Sequence, residues 1–342
     1  DDRMAAYRAA FPELAAEFEA VLKGQATDAD FEGLPEFEVG TKLATRKASA
    51  KVLDALAQRF PTLVGGSADL AGSNGVGFKE GGELSHETGD GRNVHFGVRE
   101  HGMGGISNGM ALHGGLRPFD ATFLIFSDFM RGAVRLSALQ HLPVVHIYSH
   151  DSIFLGEDGP THQPIEQTMS LRMIPNLHVM RPADANETVG AWKHALQRTD
   201  GPTAILLTRQ GVPVLEGSQR DVSKGAYVVF EPEGTDALHG ILVATGSEVS
   251  LAVEVAGRLQ AQGKRTRVVS MPCWKAFEAQ GEDYKESVLP KGVTRRLSVE
   301  AGVGLGWERY AAHQQSIDRF GASAPAGVLA EQFGFTANAV LA

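Results

Sequence analysis

Leu142-Pro143-Val144-Val145-His146-Ile147-Tyr148 runs, one residue later, into His150-Asp151-Ser152-Ile153-Phe154-Leu155-Gly156-Glu157-Asp158-Gly159-Pro160-Thr161-His162-Gln163-Pro164. The first segment reads as a buried strand. The second turns through two glycines and two prolines and holds two histidines and three carboxylates. It is too broken for a helix and too polar for a core. A polar loop just past a parallel strand is where open α/β sheets place ligands. The plain alternative is a solvated loop with ordinary turn chemistry. The flanking chain decides between them.

Strands and helices alternate on both sides of this stretch. Upstream, residues 45–59 read as a helix with Ala48, Val52, Leu53, Leu56 and Ala57 on its buried face. A short strand at 63–67, a glycine-rich loop at 71–85 and a strand at 93–97 follow. Then come a glycine-rich helix at 100–113, a strand and turn at 118–126 and a helix at 128–139. Downstream, helices at 165–172 and 186–198 alternate with strands at 178–181 and 203–208. This alternation predicts an α/β fold with a doubly wound, mostly parallel sheet. After a polar linker at 211–224, a second and smaller α/β unit is expected. Its strands lie at 240–244, 267–270 and 294–299, with helices at 247–262 and 307–320. The resulting division is 1–40 (linker helix and connector), 41–217 and 218–342, with the connector proper at 25–40.

The chain has 342 residues, of which 43% are hydrophobic and 21% charged, an ordinary globular composition. A formal charge of -9 argues against a nucleic-acid or anionic-membrane binder, since either needs a basic surface. A phosphorylated ligand would have to be met by a few placed cations. The single cysteine, Cys273, allows no internal disulfide, which suits a reducing, cytoplasmic setting. No apolar run of about 18 residues is present to span a membrane. The chain starts on Asp1 and opens almost at once into an amphipathic helix. Tyr7, Phe11, Leu14, Ala15, Phe18, Val21 and Leu22 share one face, with Gly24 as the stop. Such a helix needs something to pack on, so the start is expected to lie inside a longer protein.

Several constellations carry chemistry. Glu100 falls in the first turn of a helix, in the run His95-Phe96-Gly97-Val98-Arg99-Glu100-His101. There the helix dipole favours an anion able to meet a protonated ring nitrogen, or simply the helix itself. A zinc reading of His95 and His101 lacks the ligand spacing. Phe119, Phe123, Phe126 and Phe129 form either plain core or a pocket for a flat heterocycle. Arg46, Ser73, His150 and Arg209 each sit near the end of an element and are candidates for an anion clamp. Gly302-Val303-Gly304-Leu305-Gly306 lacks the spacing of a dinucleotide fingerprint.

Taken together, the chain resembles transketolase. The matching stretches are Ala44-Thr45-Arg46-Lys47, Gly65-Gly66-Ser67-Ala68-Asp69-Leu70, Gly97-Val98-Arg99-Glu100-His101, the phenylalanine run, the 150–164 loop and Arg181-Pro182-Ala183-Asp184. The resemblance runs from the first helix to Phe335. It implies transfer of a two-carbon ketol unit from a ketose phosphate to an aldose phosphate, as in the pentose phosphate pathway. It also implies dependence on thiamine diphosphate with Mg2+ or Ca2+, and a homodimer. By the same resemblance, Glu100 contacts the cofactor's pyrimidine nitrogen and favours the tautomer that removes the reactive proton. Phe123, Phe126 and Phe129 hold the aminopyrimidine, Phe129 standing where the family often has tyrosine, and Asp69 lies at the cofactor site. Asp158 and His162 face substrate hydroxyls, with His162 and Glu100 as the catalytic pair. Arg46, Ser73, His150 and Arg209 bind phosphate.

The departures from the family are equally informative. Its diphosphate-binding domain has no counterpart here, and Gly89-Asp90-Gly91 sits in the wrong place to be its motif. Metal ligands are therefore expected elsewhere, and none is assigned in this chain. The chain alone is expected to hold half a site and to be inactive, its unwalled loop mobile. A truncated or proteolytic fragment is favoured over a naturally split subunit. Phe154 stands where many relatives have a small residue. The alternatives are a non-catalytic dimerisation scaffold, or a related thiamine enzyme: dihydroxyacetone synthase, deoxyxylulose-phosphate synthase or the beta chain of a two-oxoacid dehydrogenase. Thr45-Arg46-Lys47 and the 150–164 loop favour transketolase over the last two.

Overall fold

A computed structural model describes residues 2–24 and 26–342; Gln25, at which the connector is read to begin, lies outside the described residues. Strand β1 (Lys42–Ala44) precedes the larger sheet, built from β2 (Leu63–Ser67), β3 (Asn93–His95), β4 (Arg117–Phe123), β5 (Val145–Ser149), β6 (His178–Met180) and β7 (Thr203–Leu207). The order is β3-β2-β4-β5-β7-β6, and every neighbouring pair is parallel. The chain leaves β2 outward to β3, then returns to β4 on the other side. That reversal opens a crevice beyond the carboxyl ends of β2 and β4. The fold is the doubly wound α/β sheet that the alternation predicts.

Sequence alternation explains the two faces of this sheet. Phe119 and Ala121 of β4 point into the core against Trp192, whose ring meets Phe119 edge-on at 6.5 Å. Asp120 points to the opposite face, where His146 Nδ1 lies 2.8 Å from Asp120 Oδ1 and His146 Nε2 lies 3.1 Å from Ser137 Oγ. Asp120 and His146 are fully buried and so closed to any substrate. Phe119 is therefore plain core, and the phenylalanine run divides at this point. Glycine is required at β2, because a methyl on Gly66 would stand 1.9 Å from the Val94 carbonyl oxygen. The glycine-rich helix Glu100–His113 lies close along Ser127–Leu139 for the same steric reason. A methyl on Gly104 would come within 2.8 Å of Ala133 Cβ.

Three local expectations need correction. The stretch 211–224 is not simply a linker: β8 (Gly211–Pro213) pairs antiparallel with β1. The opening helix is two helices, Asp2–Ala10 and Pro12–Lys23, because Pro12 has no N–H to continue the ladder. Of its apolar face only Ala15 is buried, while Tyr7, Phe11, Leu14, Phe18 and Leu22 stay exposed. Residues 307–320 are not a helix. A single turn at Trp307–Arg309 gives way to β13 (His313–Gln315). That strand belongs to a second sheet with β9 (Tyr227–Phe230), β10 (Gly240–Ala244), β11 (Thr266–Ser270) and β12 (Arg296–Val299). Its order is β13-β12-β10-β11-β9, parallel except for β9 at one edge.

The two sheets meet through buried polar groups. Glu187 accepts from Ala183 N–H at 2.7 Å and from the hydroxyls of Tyr227 at 2.7 Å and Ser270 at 2.5 Å. Burial, with the nearby Asp184 charge, pushes its carboxyl up to about 7. A folded-state value above the unfolded one stabilises the protein below pH 4.5, and that contribution is lost as pH rises through about 7. Glu187→Gln is therefore expected to match the parent near pH 4.5. At pH 8.5 it should be more stable, by roughly 2–3 kcal/mol. Thermal denaturation of both proteins across that range measures the gap; a gap independent of pH would refute the assignment.

Candidate functional site

The candidate residues collect at the carboxyl ends of the parallel strands. Asp69 follows β2, Glu100 opens the helix after β3, Phe123 ends β4, His150 follows β5, and Arg209 lies just past β7. Asp69 and His150 both take left-handed backbone angles, with φ of 61° each. Such strain in non-glycine residues persists where the surroundings fix it, and it concentrates at functional sites.

Arg46 and Arg209 come from opposite ends of the unit and are brought side by side by a pair of threonines. Thr45 N–H donates to Thr208 Oγ1 at 2.9 Å, and Thr208 N–H donates to Thr45 Oγ1 at 2.7 Å. Each threonine immediately precedes one of the arginines. Burial and the Arg209 charge lower the Arg46 guanidinium from its ordinary value. Arg46 Nη1 donates to the Ser73 carbonyl, while its Nε is buried without a partner among the described residues. Ser73 thus enters the site through its backbone, and its side chain is exposed.

His150 lies beneath this pair. Burial first, then the charges of Arg46 and Arg209 and of His162, push its imidazole down to about 3, so it is neutral at any physiological pH. Its ring stacks on Phe123 at 3.7 Å between centroids. Its Nδ1 lies 2.8 Å from Ser149 Oγ, and the buried Asn74 amide bridges the hydroxyls of Ser149 and Ser67. One amide orientation satisfies both ends of Asn74: the carbonyl accepts from Thr122 N–H and the NH2 donates to Ser149. In that orientation the Ser149 hydroxyl is free to donate to His150 Nδ1, an arrangement in which the ring proton sits on Nε2 as a donor. Sequence reasoning missed Asn74 and Ser149, which carry no motif of their own.

Phe123, Phe126 and Phe129 form a stepped stack, with centroids 5.9 Å apart at each step. His162 meets Phe126 edge-on at 5.5 Å. The stack ends in Phe129, 66% exposed, which leaves an aromatic face open to a flat ring. Glu100 is half-buried at the start of the helix packed against Ser127–Leu139, and the next residue, His101, lies against Gly132 of that helix. Among the described residues its carboxylate has no hydrogen-bonding partner. Asp158 is exposed in the loop, and Asp69 is exposed beyond β2; neither is drawn into the cluster of His150, His162 and the two arginines. Among the described residues no group of three or more His, Cys, Asp or Glu side chains is placed to hold a metal ion.

Residues 41–214 match the family described as the transketolase pyrimidine binding domain, and 225–336 match the transketolase-like C-terminal domain. A transketolase of Geobacillus stearothermophilus is 51% identical over 348 residues, which cover 100% of this chain and 52% of that protein. A structure of Pichia stipitis transketolase in complex with sedoheptulose-7-phosphate superposes with a TM-score of 0.94 at 44% identity, covering 99% of this chain and 51% of that one. A chain described as a split gene transketolase, an inactive beta4 tetramer, is 26% identical with a TM-score of 0.70, covering 87% of this chain and 96% of that one. The chain thus spans about half the length of the curated relatives it matches.

Proposed function

The chain belongs to the transketolase family, and from that premise we propose that it forms the pyrimidine-side wall of a ketol-transfer site. The assembled enzyme moves a two-carbon ketol unit from a ketose phosphate to an aldose phosphate. The observation that carries this reading is the convergence of Arg46, Arg209, His150 and His162 beside an open phenylalanine stack. The cations and the neutral His150 Nε2–H bind the substrate phosphate. Asp158 and His162 hydrogen-bond hydroxyls near the reacting carbon. Phe123, Phe126 and Phe129 seat the aminopyrimidine of thiamine diphosphate, and Glu100 holds a proton at its ring nitrogen. Asp69 lines the same crevice. When bound, the cofactor supplies a nucleophilic carbon and an electron sink. The residues here fit its ring, whereas its diphosphate and a Mg2+ or Ca2+ ion need ligands from a further domain.

The first unit ends near residue 217. Ile106 and Leu112, with Leu136 and Leu139 on the neighbouring helix, are 44–65% exposed and support a homodimer through this face. Among the described residues no helix is long and apolar enough to cross a membrane, and the lone buried Cys273 suits the cytoplasm. A second reading, in which this half is catalytically silent until it meets the diphosphate-binding half, is favoured by the inactive split-gene relative, 96% of whose chain is covered. Donor and acceptor assays separate transketolase from dihydroxyacetone synthase.

The clamp gives the sharpest test of the substrate class. In the assembled enzyme, Arg209→Ala is expected to raise KM for phosphorylated substrates about 10- to 100-fold, from the loss of a charge-assisted hydrogen bond. KM for unphosphorylated analogues should change little. An equal rise for both, in steady-state kinetics, would remove the clamp assignment.

A further inference from the structure

The loop that carries Asp158 and His162 is held from behind by the second unit. Gln163, next in chain to His162, is buried, 1% exposed. Its Nε2 donates to the carbonyls of Ile153 at 3.2 Å, Gly156 at 2.9 Å and Ala322 at 2.9 Å. The first two close the loop on itself, and the third ties it to the segment after β13. Gly321 lies flat against the same side chain. A methyl there would stand 1.7 Å from Gln163 Oε1, 2.8 Å from its Cδ and 3.2 Å from its Cβ. Two further ties hold the chain just before Asp158. Ser323 Oγ donates to the Glu157 carbonyl at 2.5 Å, and the Phe154 ring meets Phe335 edge-on at 5.9 Å. Phe154, the departure from the family's small residue, is therefore an anchor on the second unit.

We propose that the segment 321–324 is a positioning element for the candidate site, and that Gln163 is the positioning residue through which it sets Asp158 and His162. Neither Gln163 nor Gly321 needs to touch substrate for this. The catalytic consequence rests on the proposed ketol-transfer function; the holding of the loop does not.

The test is Gly321→Ala in the assembled enzyme, read by amide hydrogen exchange and by kinetics. The added methyl displaces the whole Gln163 side chain, so exchange across 153–163 should rise about tenfold or more while the sheet strands stay protected. kcat/KM should fall about tenfold, to the same extent for phosphorylated and unphosphorylated substrates, because the arginine clamp sits on other elements. Ser323→Ala, an exposed change that leaves the core intact, should raise exchange at 157–159 about threefold. Unchanged loop exchange in both variants overturns the proposal. Raised exchange with unaltered ketol transfer overturns its catalytic part. A parent enzyme without ketol transfer overturns the functional reading alone, and loop exchange still decides whether 321–324 holds the loop.

Discussion

Arg181→Met is expected to destabilise the protein by about 3–5 kcal/mol, the cost of leaving buried charges without their partner. Arg181 lies just past β6 and is 1% exposed. Its Nε donates to Asp151 Oδ2 at 2.9 Å, and its Nη1 donates to Glu248 Oε2 at 2.5 Å and to the Thr245 carbonyl at 2.9 Å. Burial works against the charge, but Glu248, Asp151 and Glu300 outweigh it and hold the guanidinium well above its ordinary value. Glu300 has a cation of its own, since Arg172 meets it with two bonds of 2.7 Å. Among the described residues Asp151 and Glu248 have no other cation, so a methionine of similar volume would strand both. Arg181→Lys keeps the charge but not the planar fork, and it should lose less. The deficit of the methionine variant should shrink as pH falls, because burial already raises the Glu248 carboxyl and, once stranded, it regains stability on protonation. Chemical denaturation of the three proteins at two pH values measures this; a methionine variant as stable as the parent would mean that the cluster contributes nothing.

That cluster also marks the limit of what the sequence discloses. The helices Thr45–Arg59 and Glu100–His113 and the strand Leu63–Ser67 are legible to the residue, the first from the period of its apolar face and the others from the turns that bound them. The β1–β8 pair is not: each strand has three residues, and the partner of Lys42 is Pro213, far along the chain. Residues 307–320 mislead because Trp307, Tyr310 and Ala311 fall at helical spacing. Their burial in fact comes from an aromatic cluster, in which Trp274 meets Trp307 at 4.7 Å and Tyr310 at 5.1 Å. At the site, charge and aromatic residues near strand ends were readable as candidates. Asn74 and Gln163 were not, since their roles depend wholly on remote partners such as Ser149 and the Ala322 carbonyl. Ser73 was readable as a residue but not as a backbone acceptor.

Glu100→Gln in the assembled enzyme is expected to lower kcat about 10²- to 10³-fold, the usual effect of removing one preorganised electrostatic contact. The carboxylate opens the helix Glu100–His113, where the unpaired N–H groups of the first turn and the helix dipole favour a negative charge. The helix cannot drift, because Gly104 lies against Met130 and Ala133, and Asn108 Nδ2 donates to the Ala133 carbonyl at 2.9 Å. Glutamine preserves shape and first-turn packing but cannot bind a proton at the ring nitrogen with a full charge, so fold and cofactor seating should survive. KM for sugar phosphates should move little, since Arg46, Arg209 and His150 stand on other elements. This pattern is the reverse of that expected for Arg209→Ala, which makes the two variants mutual controls. If Glu100→Gln instead raised KM with kcat intact, Glu100 would belong to substrate binding, and the division of the crevice into a ring side and a phosphate side would fail.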